Sequence, residues 1–245
     1  MTMNRAISTA LIPLCALTIA GCTQTTEGSA VAGTGHVNTA SPSRTTTTSP
    51  TTTSTTASLT LPEQLDTFIP TSPEELSQRT TQEVAEIARS SSVHMWDLLG
   101  TELGSPVLIP RTVQGGCLSD ATAHAEAVYC NKRIEYRDDL ITEKRERYGD
   151  LYPVLIIAHE VGHVLSAATG TNDGVSVEVS EQRANCAAGA FLSTIPSMTA
   201  REAGTLFQES TLTEAGQGSY TAFRAGFDLT RSGVNPTQQC AHYQD

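Results

Sequence analysis

The chain has 245 residues and a formal net charge of -11. That acidic balance argues against a nucleic-acid partner and offers no basic patch to anionic lipids, while saying nothing about fold. The length holds one domain of ordinary size plus chain outside it.

At the N-terminus Asn4 and Arg5 precede an apolar stretch over residues 6–20, too short to span a bilayer comfortably, that ends in Ile19-Ala20-Gly21-Cys22. Small residues directly before a cysteine at the end of such a stretch look like a bacterial lipoprotein signal; a plain secretory signal or an N-terminal helix is the rival reading. In such signals cleavage falls before the cysteine. Residues 1–21 are therefore expected to be removed, and Cys22 to carry the lipid that holds the protein on the extracytoplasmic face of the cell membrane. One acyl chain such as palmitate holds weakly, and lipoproteins carry several.

Residues 22–60 are mostly Thr and Ser with scattered Gly, Ala and Pro, including Thr45-Thr46-Thr47-Thr48-Ser49-Pro50. With almost nothing apolar to bury, this segment is expected to be a disordered tether, open to O-glycosylation, with His36 solvated in it. The folded domain is expected over residues 61–245.

Export also changes the meaning of the other cysteines. With Cys15 removed and Cys22 lipidated, Cys117, Cys130, Cys186 and Cys240 remain, an even number in an oxidising compartment. Of three possible pairings we favour Cys117 with Cys130, closing a short loop worth about 3 kcal/mol, and Cys186 with Cys240, tying the C-terminal tail inward. The rival makes Cys186 a thiolate ligand or nucleophile, but no CxxC accompanies it.

Ser72-Pro73-Glu74-Glu75 reads as a capped helix start, and Leu76, Val84, Ile87, Ala88, Met95, Leu98 and Leu99 continue an apolar stripe to Gly100. Trp96 on that helix reads as core, and His94 as a surface or satisfied residue. Residues 106–113, bounded by prolines, are an edge-strand candidate. Residues 127–130 and 133–136 read as two further strands around a turn at Asn131-Lys132. A free sheet edge beside a metal-binding helix is where an extended peptide could add as another strand. His124 is given no role. Residues 138–148 fit a short amphipathic helix broken by Gly149-Asp150.

The next stretch, residues 152–165, is apolar and carries His159-Glu160-Val161-Gly162-His163. A helix begun near Pro153 sets His159 and His163 one turn apart on one face, so both imidazoles reach one zinc ion. Glu160 sits beside the pair, placed to take a proton from water activated by the metal and to pass it to a leaving amine. A His pair satisfied in the core around a buried Glu is the plain structural alternative. The helix should end near Thr169-Gly170, with Gly170 left-handed. A catalytic zinc needs a third protein ligand, and Glu178 and Glu181 on the next segment are the acidic candidates.

This order of residues resembles a family of neutral zinc metallopeptidases. His159-Glu160-Val161-Gly162-His163 followed by Glu181-Gln182-Arg183-Ala184-Asn185-Cys186-Ala187-Ala188-Gly189 is similar to that family's pattern, HExxGH and then E-x-x-A-D-C-x-A-G. Trp96, the stretch from Cys117 to Cys130, Tyr136, and Phe223-Arg224-Ala225-Gly226-Phe227 before Cys240 fall in the family's order, so the resemblance covers everything from about residue 62. The signal and tether resemble those of lipoprotein members from actinomycete cell envelopes. The resemblance implies Glu181 as the third ligand, in the manner of the gluzincins, with Glu178 beside the site or on the surface. One position departs: the family's Asp is Asn185 here. Its oxygen can accept an N–H from a ligating imidazole, without the charge that strengthens the ligand's basicity.

Thr199-Ala200-Arg201-Glu202 reads as another capped helix start running to about Ser210, Gly216-Gln217-Gly218 as a break, and residues 220–231 as a last helix packing Phe223, Phe227 and Leu229. Tyr220, Arg224, His242 and Tyr243 are chemically able to stabilise an oxyanion, and sequence does not choose among them. The resulting expectation is an α+β fold, mainly helical and zincin-like, with a small β-sheet. It would use Zn2+, act on a protein or peptide substrate, and reach the membrane through lipidated Cys22. The alternative is a lipoprotein that keeps zinc, has lost turnover and serves as a binding or assembly module.

Overall fold

Among the described residues, helices dominate the structure. The computed structural model describes residues 69, 72–111, 116–118, 125–210 and 217–244. The expected signal (1–21), Cys22, the tether with His36, and His124 lie outside the described residues.

The first predicted helix is two. α1 (Pro73–Leu76) is started by Ser72 and Glu75, each side chain bonding the other's backbone N–H, and it stops after one turn. Thr80 then caps α2 (Thr81–Leu98) in a full capping box with Glu83. A second cap interrupts the continuous stripe because Thr80 satisfies the N–H groups of a new first turn, worth about 1 kcal/mol. Trp96, Met95, Val84 and Ala88 of α2 are buried as expected, whereas Leu98 is exposed.

β1 (Val107–Arg111), β2 (Ala127–Cys130) and β3 (Arg133–Arg137) form one mixed sheet in the order β1-β3-β2, β1 parallel to β3 and β2 antiparallel to it. Pro110 suits β1 to its edge position, because its missing N–H would cost a ladder bond in the middle of a sheet. Asn131 and Lys132 join β2 to β3 with φ of 47° and 62°, the tight two-residue hairpin turn that matches strand twist.

β3 leads directly into α3 (Asp138–Tyr148), and Gly149 at φ 96° turns the chain into α4 (Tyr152–Ala168), which carries Pro153 in its first turn. From Tyr152 to Gly162 every residue of α4 is buried, because α2, α3, α5 and β2 all pack against it. A helix apolar on every side belongs at the centre of a fold. It ends as predicted, with Gly170 at φ 67° and the Thr171 N–H returning to Ser166 O at 2.9 Å.

α5 (Val177–Leu192), capped by Ser176, lies between α4 and α7 (Gln217–Arg231). Its small residues let backbones nearly touch: a Cβ on Gly162 would sit 2.7 Å from Ala184 Cα, and Cβ atoms on Gly189 and Gly226 would run into the carbonyls of Phe223 and Cys186. α7 starts earlier than the glycines suggested, taking Gln217 and Gly218 into its first turn. α6 (Ala200–Glu209) is capped by Thr199 and Glu202, and α8 (Thr237–Ala241) closes the fold. Among the described residues, eight helices and a three-stranded mixed sheet make an α+β architecture, whose hydrophobic core runs from Ile69 to Cys240. No described helix is long and apolar enough to cross a membrane. Cys117 pairs with Cys130 and Cys186 with Cys240, so Cys186 is a structural cystine and not a thiolate ligand.

Candidate metal centre

α4 and α5 cross tightly at Gly162 and Ala184, and that crossing sets the functional side chains face to face. His159 and His163 project from α4 with ring centroids 4.9 Å apart and planes at 88°. Glu181 of α5 meets both: His159 Nε2 lies 3.1 Å from one carboxylate oxygen and His163 Nε2 3.4 Å from the other. Ligand atoms of the three residues all fall within 4.8 Å of one another. A tetrahedral zinc with bonds of about 2.0–2.1 Å spaces its ligand atoms about 3.3 Å apart, so the two His–Glu distances suit a shared ion. Of the two acidic candidates, Glu178 stands exposed in the first turn of α5, one turn before Glu181.

The far side of each ring is also held. Asn185 Oδ1 is 2.8 Å from His159 Nδ1, and Ser180 Oγ is 3.4 Å from His163 Nδ1 while reaching Asn172 Oδ1 at 3.5 Å. With Nδ1 of each ring engaged, Nε2 is left toward Glu181, the orientation that fixes the tautomer of a ligating imidazole. Both of these partners are neutral. Ser180 was not singled out from the sequence, although its place directly before Glu181 could have suggested it.

Glu160 is 5% exposed, and its Oε2 has no hydrogen-bond partner among the described residues; the same holds for Asn185 Nδ2. Burial pushes the Glu160 carboxyl up, the His163 and His159 rings pull it down, the Glu181 charge pushes it up, and the Tyr129 backbone N–H favours the carboxylate; the net shift is upward. Burial alone would lower His163, but the Glu181 carboxylate, by charge and hydrogen bond, and then Glu160 push it up to about 9. Glu181 is desolvated too, yet the two imidazoles hold it well below the usual carboxylate range. Its side chain remains 33% exposed, so the cluster opens to solvent on that side.

Tyr129 is a contribution no sequence pattern carries, since it acts through its backbone from β2. The four oxyanion candidates scatter. Arg224 bonds Asp228 and the Ala200 carbonyl, Tyr220 packs against Gly204 and Phe207, and His242 is exposed. The Tyr243 carbonyl accepts from Arg183, a buried arginine that also donates to the Thr171 carbonyl and so ties the C-terminal tail to the loop between α4 and α5.

A second group, Cys117, Cys130 and Glu135, also has ligand-type atoms within 4.8 Å, but its sulfurs are joined in the disulfide. No protein-family model, curated protein or solved structure matches this chain.

Proposed function

We propose that this chain is a zinc metallopeptidase of the zincin-like, neutral zinc metallopeptidase type, anchored by lipid on Cys22 and acting on proteins or peptides outside the cytoplasm. The observation that carries the reading is the spacing of three donors on two helices, His159 Nε2 and His163 Nε2 at 3.1 and 3.4 Å from the two oxygens of Glu181. A zinc ion held by these three residues supplies a Lewis acid that polarises a peptide carbonyl and acidifies water. Glu160, one residue along α4 from His159 and pushed up by burial, takes the proton that the attacking water gives up and returns it to the leaving amine. Asn185 and Ser180 keep the two imidazoles turned toward Glu181. The exposed third of Glu181 marks the side from which substrate reaches the cluster.

A second reading, a binding or assembly module that keeps zinc without turnover, is favoured by one observation: the acceptor beside His159 is the neutral Asn185. Zinc content and cleavage of an unfolded protein, measured with and without a chelator, separate the two. The peptidase reading expects chelator-sensitive cleavage and a Glu160→Gln variant that keeps zinc but cleaves about a thousandfold more slowly. Stoichiometric zinc with no cleavage by the wild type would establish the module instead. For the anchor, Cys22→Ala should move the protein from membrane to medium, and a variant still found on the membrane removes that part of the proposal.

A further inference from the structure

The two disulfides sit in opposite surroundings. Cys186 and Cys240 are fully buried between α5 and α8, whereas Cys117 and Cys130 are only half-buried. Among the described residues near Cys117, Glu135 is the one carboxylate facing two guanidinium groups, with Arg111 Nη2 at 3.1 Å and Arg133 Nε at 2.8 Å, and it also accepts the Cys117 backbone N–H at 2.9 Å. Arg133 Nη2 lies 3.6 Å from Cys117 Sγ, and Asn131 Nδ2 lies 4.0 Å from the same sulfur. A cation beside a sulfur stabilises its thiolate and so makes it the better leaving group in exchange. Cys130 has a different place: it is the last residue of β2, paired with Arg133 and following Tyr129, on the strand that packs against the helix carrying Glu160. The outer edge of β2 has no further strand among the described residues.

We propose that Cys117–Cys130 is a thiol–disulfide exchange site for dithiols, opened by attack at Cys130 ahead of Cys186–Cys240, and that its opening releases β2 beside Glu160. A thiolate of the dithiol bonds to Cys130 Sγ, the bond between the two cysteine sulfurs breaks, and its electron pair leaves on Cys117 next to Arg133. The second thiolate of the dithiol then attacks its own partner sulfur in the mixed disulfide, closing the reagent's ring and freeing Cys130 as a thiolate. Two electrons pass to the protein, and the two thiol protons go to solvent or to the released sulfurs. Glu135 keeps Cys117 in place through its backbone, so β2 is the part that loosens. Any effect on turnover rests on the peptidase reading of Glu160, whereas the exchange chemistry does not.

The test uses the full chain and reads neither cleavage nor zinc, so its failure is separate from failure of that reading. With stepwise dithiothreitol, alkylation and peptide mass spectrometry, Cys117 and Cys130 should become alkylated at concentrations about tenfold below those that open Cys186 and Cys240. Glutathione should add to Cys130 and leave Cys117 free for alkylation. In the singly opened protein, hydrogen exchange at residues 127–130 should rise several-fold while residues 154–165 stay protected. Arg133→Ala should slow opening about tenfold, with Arg133→Lys restoring it. Simultaneous opening of both disulfides, glutathione on Cys117, or unchanged exchange in β2 would overturn the proposal, and the wild-type measurements decide this without any variant.

Discussion

The crossing of α5 with α4 and α7, and the corner where the sheet meets Cys117, are held by different physics. Along the helix seam, backbones approach so closely that Gly162, Gly189 and Gly226 have no room for a methyl group. In the sheet corner the tie is electrostatic, one Glu135 carboxylate with two arginines and the Cys117 N–H. Close packing transmits an error of an ångström directly, while partly solvated side chains reorient around one. The donors His159, His163 and Glu181 are mounted on the seam, where their spacing is enforced by atoms that cannot move aside.

The difference can be broken most sharply at the glycines. Gly226→Ala would drive a Cβ into the Cys186 carbonyl and should cost about 3 kcal/mol or more, read as loss of the cooperative thermal transition. Gly162→Ala, facing Ala184 backbone at 2.7 Å, should cost about 2 kcal/mol and also weaken zinc binding by displacing Glu181 from the histidines. A Gly162→Ala protein that binds zinc as the wild type does would separate the packing from the site.

The corner should yield less. Glu135→Gln removes the charge between Arg111 and Arg133, whose side chains are 36% and 35% exposed and therefore find water; a loss of about 1–2 kcal/mol in denaturant unfolding is expected, with zinc affinity unchanged. Asn185→Asp gives the His159 ring a charged acceptor at 2.8 Å and should tighten zinc binding about tenfold in chelator competition. Unchanged affinity would show that the neutral amide already orients the ring fully.

The smallest effect is the pH response of chelator-treated protein. Glu135 and Glu181 are held below 4.5 in the fold, so their contributions are present above that pH and fade as it falls through their folded values; acid weakens corner and seam alike. His163 is raised from 6.5 to about 9, so its contribution is complete below 6.5 and is lost as pH rises through about 9. Between pH 6.5 and about 9 rising pH should therefore lower the melting temperature through the seam, and hydrogen exchange should rise in α4 and α5 before it rises in the sheet, where burial raises the Tyr129 and Tyr136 phenols and puts their response above pH 10.

Much of this was legible in the chain because local rules dictated it. The apolar run from Tyr152 to Ala158 marked a central helix, helical spacing put His159 and His163 on one face, and Asn131-Lys132 between two strand-like stretches made a hairpin. Thr80 with Glu83 is also a local signal, one that the apolar stripe running past it hides, and one helix was expected where there are two. Ser180 beside His163, the backbone N–H of Tyr129 near Glu160, and the dispersal of Tyr220 and Arg224 were not legible. Each depends on which segments meet across the core.

Sequence by itself determined the motif, the helix that bears it and the small residues that permit close approach, since periodicity, caps and residue volume act within a few positions. The resemblance pointed to Glu181, but only the tertiary structure set it against the histidines with Glu178 exposed, gave Cys117 a corner with two arginines, and laid β2 against the helix of Glu160. A helix fixes the angles between its own side chains. The angle at which two helices cross depends on every residue between them.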